Sequence, residues 1–276
     1  CYFPSPNFEH DEVLPRVAIG VYTSGKSKTQ QEDARRFLEA IGVRDVGEAE
    51  QVEAILKQRY IKGSKAPDEK THFRDLERFI KLVEDEPGKA KLFAPYAIFM
   101  RSRNDWGTPS DVYLDVPYSE TGLSAFYLPQ GNNADRASLG KLYEQFTIPP
   151  DKLGKFAKAV GANDQLEITE VNCSNNPQLD FLMNVPGERY TSPINRDFVI
   201  HGLEQLLSQP TVELARLVWR TMCALPNDSN RLQARFRKSA ANGSRYADSQ
   251  LVHILRRHSW IPYAIGRFVS PPEEDK

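Results

Sequence analysis

Apolar and polar positions change period several times along the chain, and each change marks an element. From 28 to 41 the start is very polar, while Phe37, Leu38 and Ile41 carry an apolar face near the end, which predicts a helix. Gly42 stands where a left-handed C-terminal cap belongs, and Val43 where the following hydrophobic contact belongs. Val52, Ile55 and Leu56 recur at helical spacing over 48–60, with Glu48 and Glu50 suited to the N-terminal dipole. Phe73, Leu76, Phe79, Ile80 and Val83 line one stripe of a longer helix over 68–84, which Pro87-Gly88 stops. Short helices are expected over 137–146 and 150–160, the second closed by Gly161. Further helices are expected from Ser192-Pro193, with Ile194, Phe198 and Leu206 inward, from Pro210, and from a cap at Asp248.

Alternation and turn chemistry predict the strands. Residues 17–22 read as a short strand. Residues 96–100 and 111–115 read as a hairpin across Asn104-Asp105-Trp106-Gly107, with Trp106 packed against it. Leu232, Ala234 and Phe236 alternate with Gln233, Arg235 and Arg237 as in a half-buried strand, and Asn242-Gly243 turns the chain. Trp260-Ile261-Pro262 and 266–269 form a last hairpin. The expected fold class is α+β, predominantly helical, with small antiparallel β-hairpins. Residues 37–45 (FLEAIGVRD) have a looser copy at 156–164 (FAKAVGAND), and a hairpin follows each. The chain therefore reads as two helix-plus-hairpin units, 1–130 and 131–276. The second carries an Asn-rich insertion at about 163–195.

Composition narrows the function more than it defines it. The 276 residues are 40% hydrophobic, enough for a sizeable core, and the formal net charge of −1 gives no global field toward nucleic acid or membrane. No apolar run approaches the roughly 18–20 residues of a membrane helix, and no signal peptide is visible. Cys1, Cys173 and Cys223 are too few and too far apart for a disulfide framework, which points to a reduced, cytoplasmic home. A chain that begins at Cys1 rather than Met suggests a fragment of something longer.

Two stretches carry candidate chemistry. Gly20-Val21-Tyr22-Thr23-Ser24-Gly25-Lys26-Ser27 satisfies G-x-x-x-x-G-K-[ST]. In a phosphate loop the backbone amides up to Lys26 would wrap a β-phosphate, Lys26 would reach the γ-phosphate and Ser27 would hold magnesium. Against this, the following helix opens Lys-Thr-Gln-Gln-Glu-Asp, no apolar strand ends in a suitable Asp, and strands do not alternate with helices. The second stretch is basic: Arg231, Arg235, Arg237, Lys238, Arg245, Arg256, Arg257 and Arg267, with Phe236, Tyr246 and Trp260 interleaved. Phosphate contacts with aromatic stacking would suit nucleic acid; a solvated outer face with Arg256-Arg257 compensating a helix C-terminus is the plainer reading. The five histidines have no partner at metal-ligand spacing, and no carboxylate pair or G-x-S-x-G elbow marks catalysis. No catalytic residue, cofactor or metal ligand is assigned from the sequence.

Residues 37–46 (FLEAIGVRDV) resemble a segment of very large GHKL-type ATPase proteins of the sacsin and NO VEIN-like kind. Trp260-Ile261-Pro262 through Gly266-Arg267-Phe268-Val269-Ser270-Pro271 resembles their recurring W-[IV]-P…G-x-F-x-x-P hairpin, and 106–115 is similar to another instance. The ATPase module of such proteins has an asparagine-bearing helix and glycine-rich lid motifs, and neither is found here. The resemblance thus implies a non-catalytic scaffold or interaction region. Its partners would be other domains of the same longer chain and a protein client, in a chaperone-like, ATP-dependent parent.

Overall fold

Both glycine-ended helices close with the same pair of hydrogen bonds. In the computed structural model, which describes residues 1–3, 14–187, 192–226, 230–264 and 266–271, the Gly42 N–H donates to the Glu39 carbonyl at 3.0 Å and the Val43 N–H to Leu38 at 2.9 Å. At the second copy the Gly161 N–H donates to Lys158 at 3.1 Å and the Ala162 N–H to Ala157 at 2.8 Å. This arrangement satisfies two orphan carbonyls and requires a left-handed pivot. The φ angles are +94° at Gly42 and +116° at Gly161.

In chain order the helices are α1 (Gly20–Thr23), α2 (Lys28–Ala40), α3 (Glu48–Arg59), α4 (Glu69–Asp85), α5 (Ser124–Tyr127), α6 (Pro150–Val160), α7 (Leu179–Met183), α8 (Leu203–Leu207), α9 (Val212–Cys223) and α10 (Gln250–Arg257). The strands are β1 (Phe99–Met100), β2 (Trp106–Gly107), β3 (Thr169–Val171), β4 (Ile194–Val199), β5 (Gln233–Arg237), β6 (Arg245–Asp248), β7 (Ile261–Ala264) and β8 (Arg267–Val269). β1–β2 and β7–β8 are hairpins, and β3-β4-β5-β6 is a four-stranded antiparallel sheet. The class is α+β, mostly helical, with small antiparallel sheets.

The chain divides into two compact units that interleave. The first holds Cys1–Tyr118 and Arg136–Asn163; the second holds Ser119–Asp135 and Asp164–Lys276. Both glycine-ended helices, α2 and α6, therefore lie in the first unit rather than one in each.

The first unit is built on α3, α4 and α6. Asp68 caps α4, its carboxylate accepting from the Thr71 N–H at 3.0 Å, and Leu76, Phe79, Ile80 and Val83 are buried along the predicted stripe. They meet Leu56, Phe93, Phe99, Leu153 and Phe156 in one core, whose rings stack edge-on: Phe93 and Phe156 centroids are 5.5 Å apart. α2 packs less deeply. Leu38 and Val43 join Phe3 in a small separate cluster. Phe37, expected in the buried face, is 64% exposed.

Several expected elements differ. Residues 17–22 form no strand: a strand needs a partner ladder, and here Ile19 instead accepts from the Thr23 N–H and hydroxyl as α1 winds. The partner of β1 is Trp106–Gly107 and not 111–115, because the chain reverses at once, with the Arg101 N–H on the Asp105 carbonyl and Asn104 at φ 61°. Val112 and Tyr113 bridge singly to Ala137 and Asn163. Residues 137–146 are not an α-helix. Ser102 and Met100 draw that stretch into backbone bonding, and only a 3₁₀ turn, Lys141–Gln145, remains.

The second unit overturns the helix expected after Ser192. Ile194–Val199 is β4, an inner strand paired on both sides, so its period-four apolar pattern lost to two hydrogen-bonded ladders. The Asn-rich stretch is not a plain loop, for it supplies β3 and α7; its residues 188–191 lie outside the described residues. β5 matches its predicted alternation, with Ala234 and Phe236 buried against Cys173, Leu182 and Val185. The caps fall one residue along from Pro210 and Asp248: Thr211 caps α9 and Ser249 caps α10 through their side-chain oxygens. Trp260 is buried and its indole N–H donates to the Leu255 carbonyl at 2.9 Å.

Candidate functional site

The Gly20–Ser27 residues are together in sequence but form no phosphate cradle. Gly20 opens a helical turn instead of leaving a strand. The N–H groups of Val21, Tyr22, Thr23 and Ser24 donate to carbonyls of residues 18–20. Lys26 N–H donates to the Gln30 side chain at 3.0 Å, and Gly25 O accepts from Gln31 at 2.9 Å. The Ser27 hydroxyl caps α2 by accepting from the Gln30 N–H. The amides of Val21 to Ser24 and of Lys26, which a β-phosphate would need, are thus engaged within the turn.

A buried chain of polar side chains lies elsewhere, in the first unit, and holds three groups that burial displaces strongly: Tyr60, His72 and Tyr143. Tyr60 stands at the C-terminal end of α3, His72 and Asp75 on α4, and Tyr143 in the 3₁₀ turn; all four are buried. The Tyr60 hydroxyl donates to Asp75 Oδ2 at 3.1 Å and lies 3.1 Å from His72 Nδ1. His72 Nε2 is 3.1 Å from the Tyr143 hydroxyl, which also accepts from the Met100 N–H at 2.9 Å. Arg59 Nη1 sits 2.8 Å and 2.9 Å from the two Asp75 oxygens.

These directions fix the tautomer. Tyr60 spends its proton on Asp75, so it accepts from Nδ1–H. Nε2 is then bare and accepts from Tyr143, whose oxygen receives Met100 N–H. One consistent line of donors runs from Met100 through Tyr143, His72 and Tyr60 to the carboxylate, closed by Arg59. Burial lowers His72 to about 3, which keeps the ring neutral as this pattern demands. Burial raises both tyrosines, and Asp75 adds to the effect at Tyr60. Burial also pushes the Asp75 carboxyl up, against the pull of Arg59. Trp106 covers the imidazole edge-on at 4.7 Å between centroids. The sequence held a signal for this group: His72 and Asp75 occupy positions four and one before Leu76 on the apolar stripe of α4, where polar side chains need partners.

The basic stretch separates into individual fates. Arg256 pairs with Asp248, Arg257 with Glu204, and the Arg245 guanidinium lies 4.8 Å over the Phe181 ring. Arg235 and Arg237 share a face of the β3–β6 sheet, and the register brings Arg196 of β4 directly opposite Arg235, with Tyr246 of β6 opposite it on the other side. Arg196 went unnoticed in the sequence because it lies 39 residues before Arg235 (235 − 196). Arg235 Nε donates to Ser244 at 3.1 Å, and its guanidinium is 5.5 Å from the Tyr246 centroid. Arg237 donates to the Ser192 carbonyl at 3.1 Å. The Nε atoms of Arg196 and Arg237 are buried without a hydrogen-bond partner. Glu170 approaches Arg196 only at 4.0 Å, from a largely exposed position.

Opposite that face, Asp197 is buried and accepts four hydrogen bonds: from the Phe198 and Gln250 N–H groups and from the Asn176 and Gln250 side chains. It anchors the start of α10 to β4. The buried Cys173 thiol, pushed up to about 11 chiefly by burial, faces the Arg196 and Arg235 carbonyls. It is a packed side chain with no nucleophilic character. Among the described residues no group of three or more His, Cys, Asp or Glu could hold a metal ion, and no helix is long and apolar enough to cross a membrane.

No family model matches this chain, and no curated protein or solved structure matches it.

Proposed function

We propose that this chain is a non-catalytic scaffold and interaction region of a larger ATP-dependent protein of the GHKL kind, working in a cytoplasmic, chaperone-like setting. One observation carries the reading: four titratable groups of the first unit, His72, Tyr60, Tyr143 and Asp75, are sealed in the core with every proton directed to an internal partner. Such a chain holds α3, α4 and the 3₁₀ turn in register and presents no acid, base or nucleophile to a substrate. The resemblance of 37–46, 106–115 and 260–271 to sacsin-like segments supplies the parentage. The partners are then other domains of the longer chain and a protein client. The three cysteines, unpaired with one another, fit a reducing compartment.

Calorimetry with a non-hydrolysable ATP analogue and a phosphate-release assay test the non-catalytic part. Neither binding nor turnover is expected from this chain alone, and Lys26→Ala should behave like the parent sequence. Turnover that Lys26→Ala abolishes would overturn the reading in favour of the phosphate loop. The coding sequence on the Cys1 side tests the parentage: a complete reading frame without a GHKL module rejects it.

A further inference from the structure

The sheet of the second unit places like charges where a sheet ordinarily avoids them. Arg196 and Arg235 are directly opposed across β4 and β5, a disfavoured pairing, and Arg237 follows on the same face two residues on. Of the carboxylates on that face, Glu170 stands off at 4.0 Å and Asp248 is taken by Arg256. Two of the three guanidinium groups have a buried Nε without a partner. Among the described residues this face therefore carries more positive charge than it neutralises. An anion laid across it would relieve the repulsion.

We propose that the arginine face of the β3–β6 sheet binds single-stranded nucleic acid, with Arg196, Arg235 and Arg237 on successive phosphates and Tyr246 under a base. Charge alone would suit any polyanion; the aromatic ring selects among them. Tyr246 is 50% exposed and borders Arg235, whose planar group lies near its ring. A planar cation beside an exposed ring is a stacking platform for an unpaired base. A duplex keeps its base faces stacked inside, out of reach of the ring. An acidic peptide would meet the arginines but has no planar base to lay on the ring, which it would leave unused. All three cations are arginine, the residue that meets phosphate with two parallel donors. The inference stands on the second unit alone and does not depend on the parentage proposed above.

Fluorescence anisotropy of the whole chain with labelled single-stranded oligonucleotides tests it, over a range of salt. Binding is expected at low salt, weakening as salt rises. The log–log slope should fall by about 0.7 for each of Arg196→Gln, Arg235→Gln and Arg237→Gln. Tyr246→Ala should lose at least about 5-fold in affinity while Tyr246→Phe keeps it, since stacking needs the ring and not the hydroxyl. Because Tyr246 is exposed, that pair remains informative even if an arginine variant fails to fold. Arg→Lys replacements at the three positions, which keep the charge, should retain the salt slope. Absence of binding at low salt overturns the proposal, as does binding that the Tyr246→Ala and arginine variants leave unchanged. Equal displacement by duplex DNA would also overturn it, and equal displacement by polyglutamate would reassign the face to acidic peptides.

Discussion

Tyr143 carries a consequence out of proportion to one hydroxyl. Removing it in Tyr143→Phe strands both Met100 N–H and His72 Nε2 in the core. With about 1–3 kcal/mol for each unmet group, the variant should lose about 2–4 kcal/mol of stability, read by urea unfolding. His72 makes the same region sensitive to acid. Its folded value, about 3, lies below the unfolded value of about 6.5. Between these the unfolded chain binds the extra proton, so stability rises with pH. The contribution is complete above about pH 6.5 and lost progressively as pH falls toward 3, amounting to about 2–3 kcal/mol by about pH 4.5. The difference in unfolding free energy between the parent and His72→Phe should trace that curve; a pH-independent difference would show that the ring is not held neutral by burial. Phe37 is the opposite case. At 64% exposure, Phe37→Ala should shift stability by no more than about 0.5 kcal/mol in thermal melts. The helix stands as predicted, but the side chain that anchors it is Leu38.

At the scale of elements, α6 shows how a residue's surroundings reverse its propensity. Gly154 sits in the middle of that helix, where replacing glycine by alanine ordinarily gains about 1 kcal/mol. Here a Cβ would lie 2.1 Å from the Tyr118 carbonyl oxygen, a backbone atom. Gly154→Ala should therefore destabilise by about 1–3 kcal/mol, measured by the unfolding midpoint, and a stabilised variant would contradict the packing of α6 on residue 118. Helix boundaries were legible because they are local. Gly42 and Gly161 make the expected caps within a few residues, so the relevant partners are already adjacent in the sequence. β4 was not legible, since Ile194–Val199 becomes a strand only through ladders to residues 169–171 and 235–237. Short stretches with apolar residues four apart satisfy either period.

Across the whole molecule, the interleaved units matter most. Residues 136–163 belong with the first unit and bring Leu153, Phe156, Ala157 and Val160 into its core. A polypeptide of residues 1–130 should therefore fail to fold, giving no cooperative melt by circular dichroism. One that melts cooperatively would show that α6 is dispensable. The candidate sites follow the same logic. The buried chain joins residues 59, 60, 72, 75, 100 and 143, and the arginine face joins 196, 235, 237 and 246. Neither set is contiguous, whereas the contiguous motif at Gly20–Ser27 turned out to spend its amides locally.

The sequence by itself determined what depends on neighbours a few residues away: the helices of α2, α3, α4 and α6, the glycine caps of α2 and α6, the alternation of β5, the last hairpin and the α+β class. Tertiary structure decided whatever depends on distant partners. It made 194–199 a strand, exposed Phe37 and carried α6 back to the first unit. It also set a histidine between two tyrosines and brought Arg196 against Arg235. Caps and periodicity are properties of short chain segments, but a strand, a buried polar chain and a charged sheet face exist only where separate segments meet.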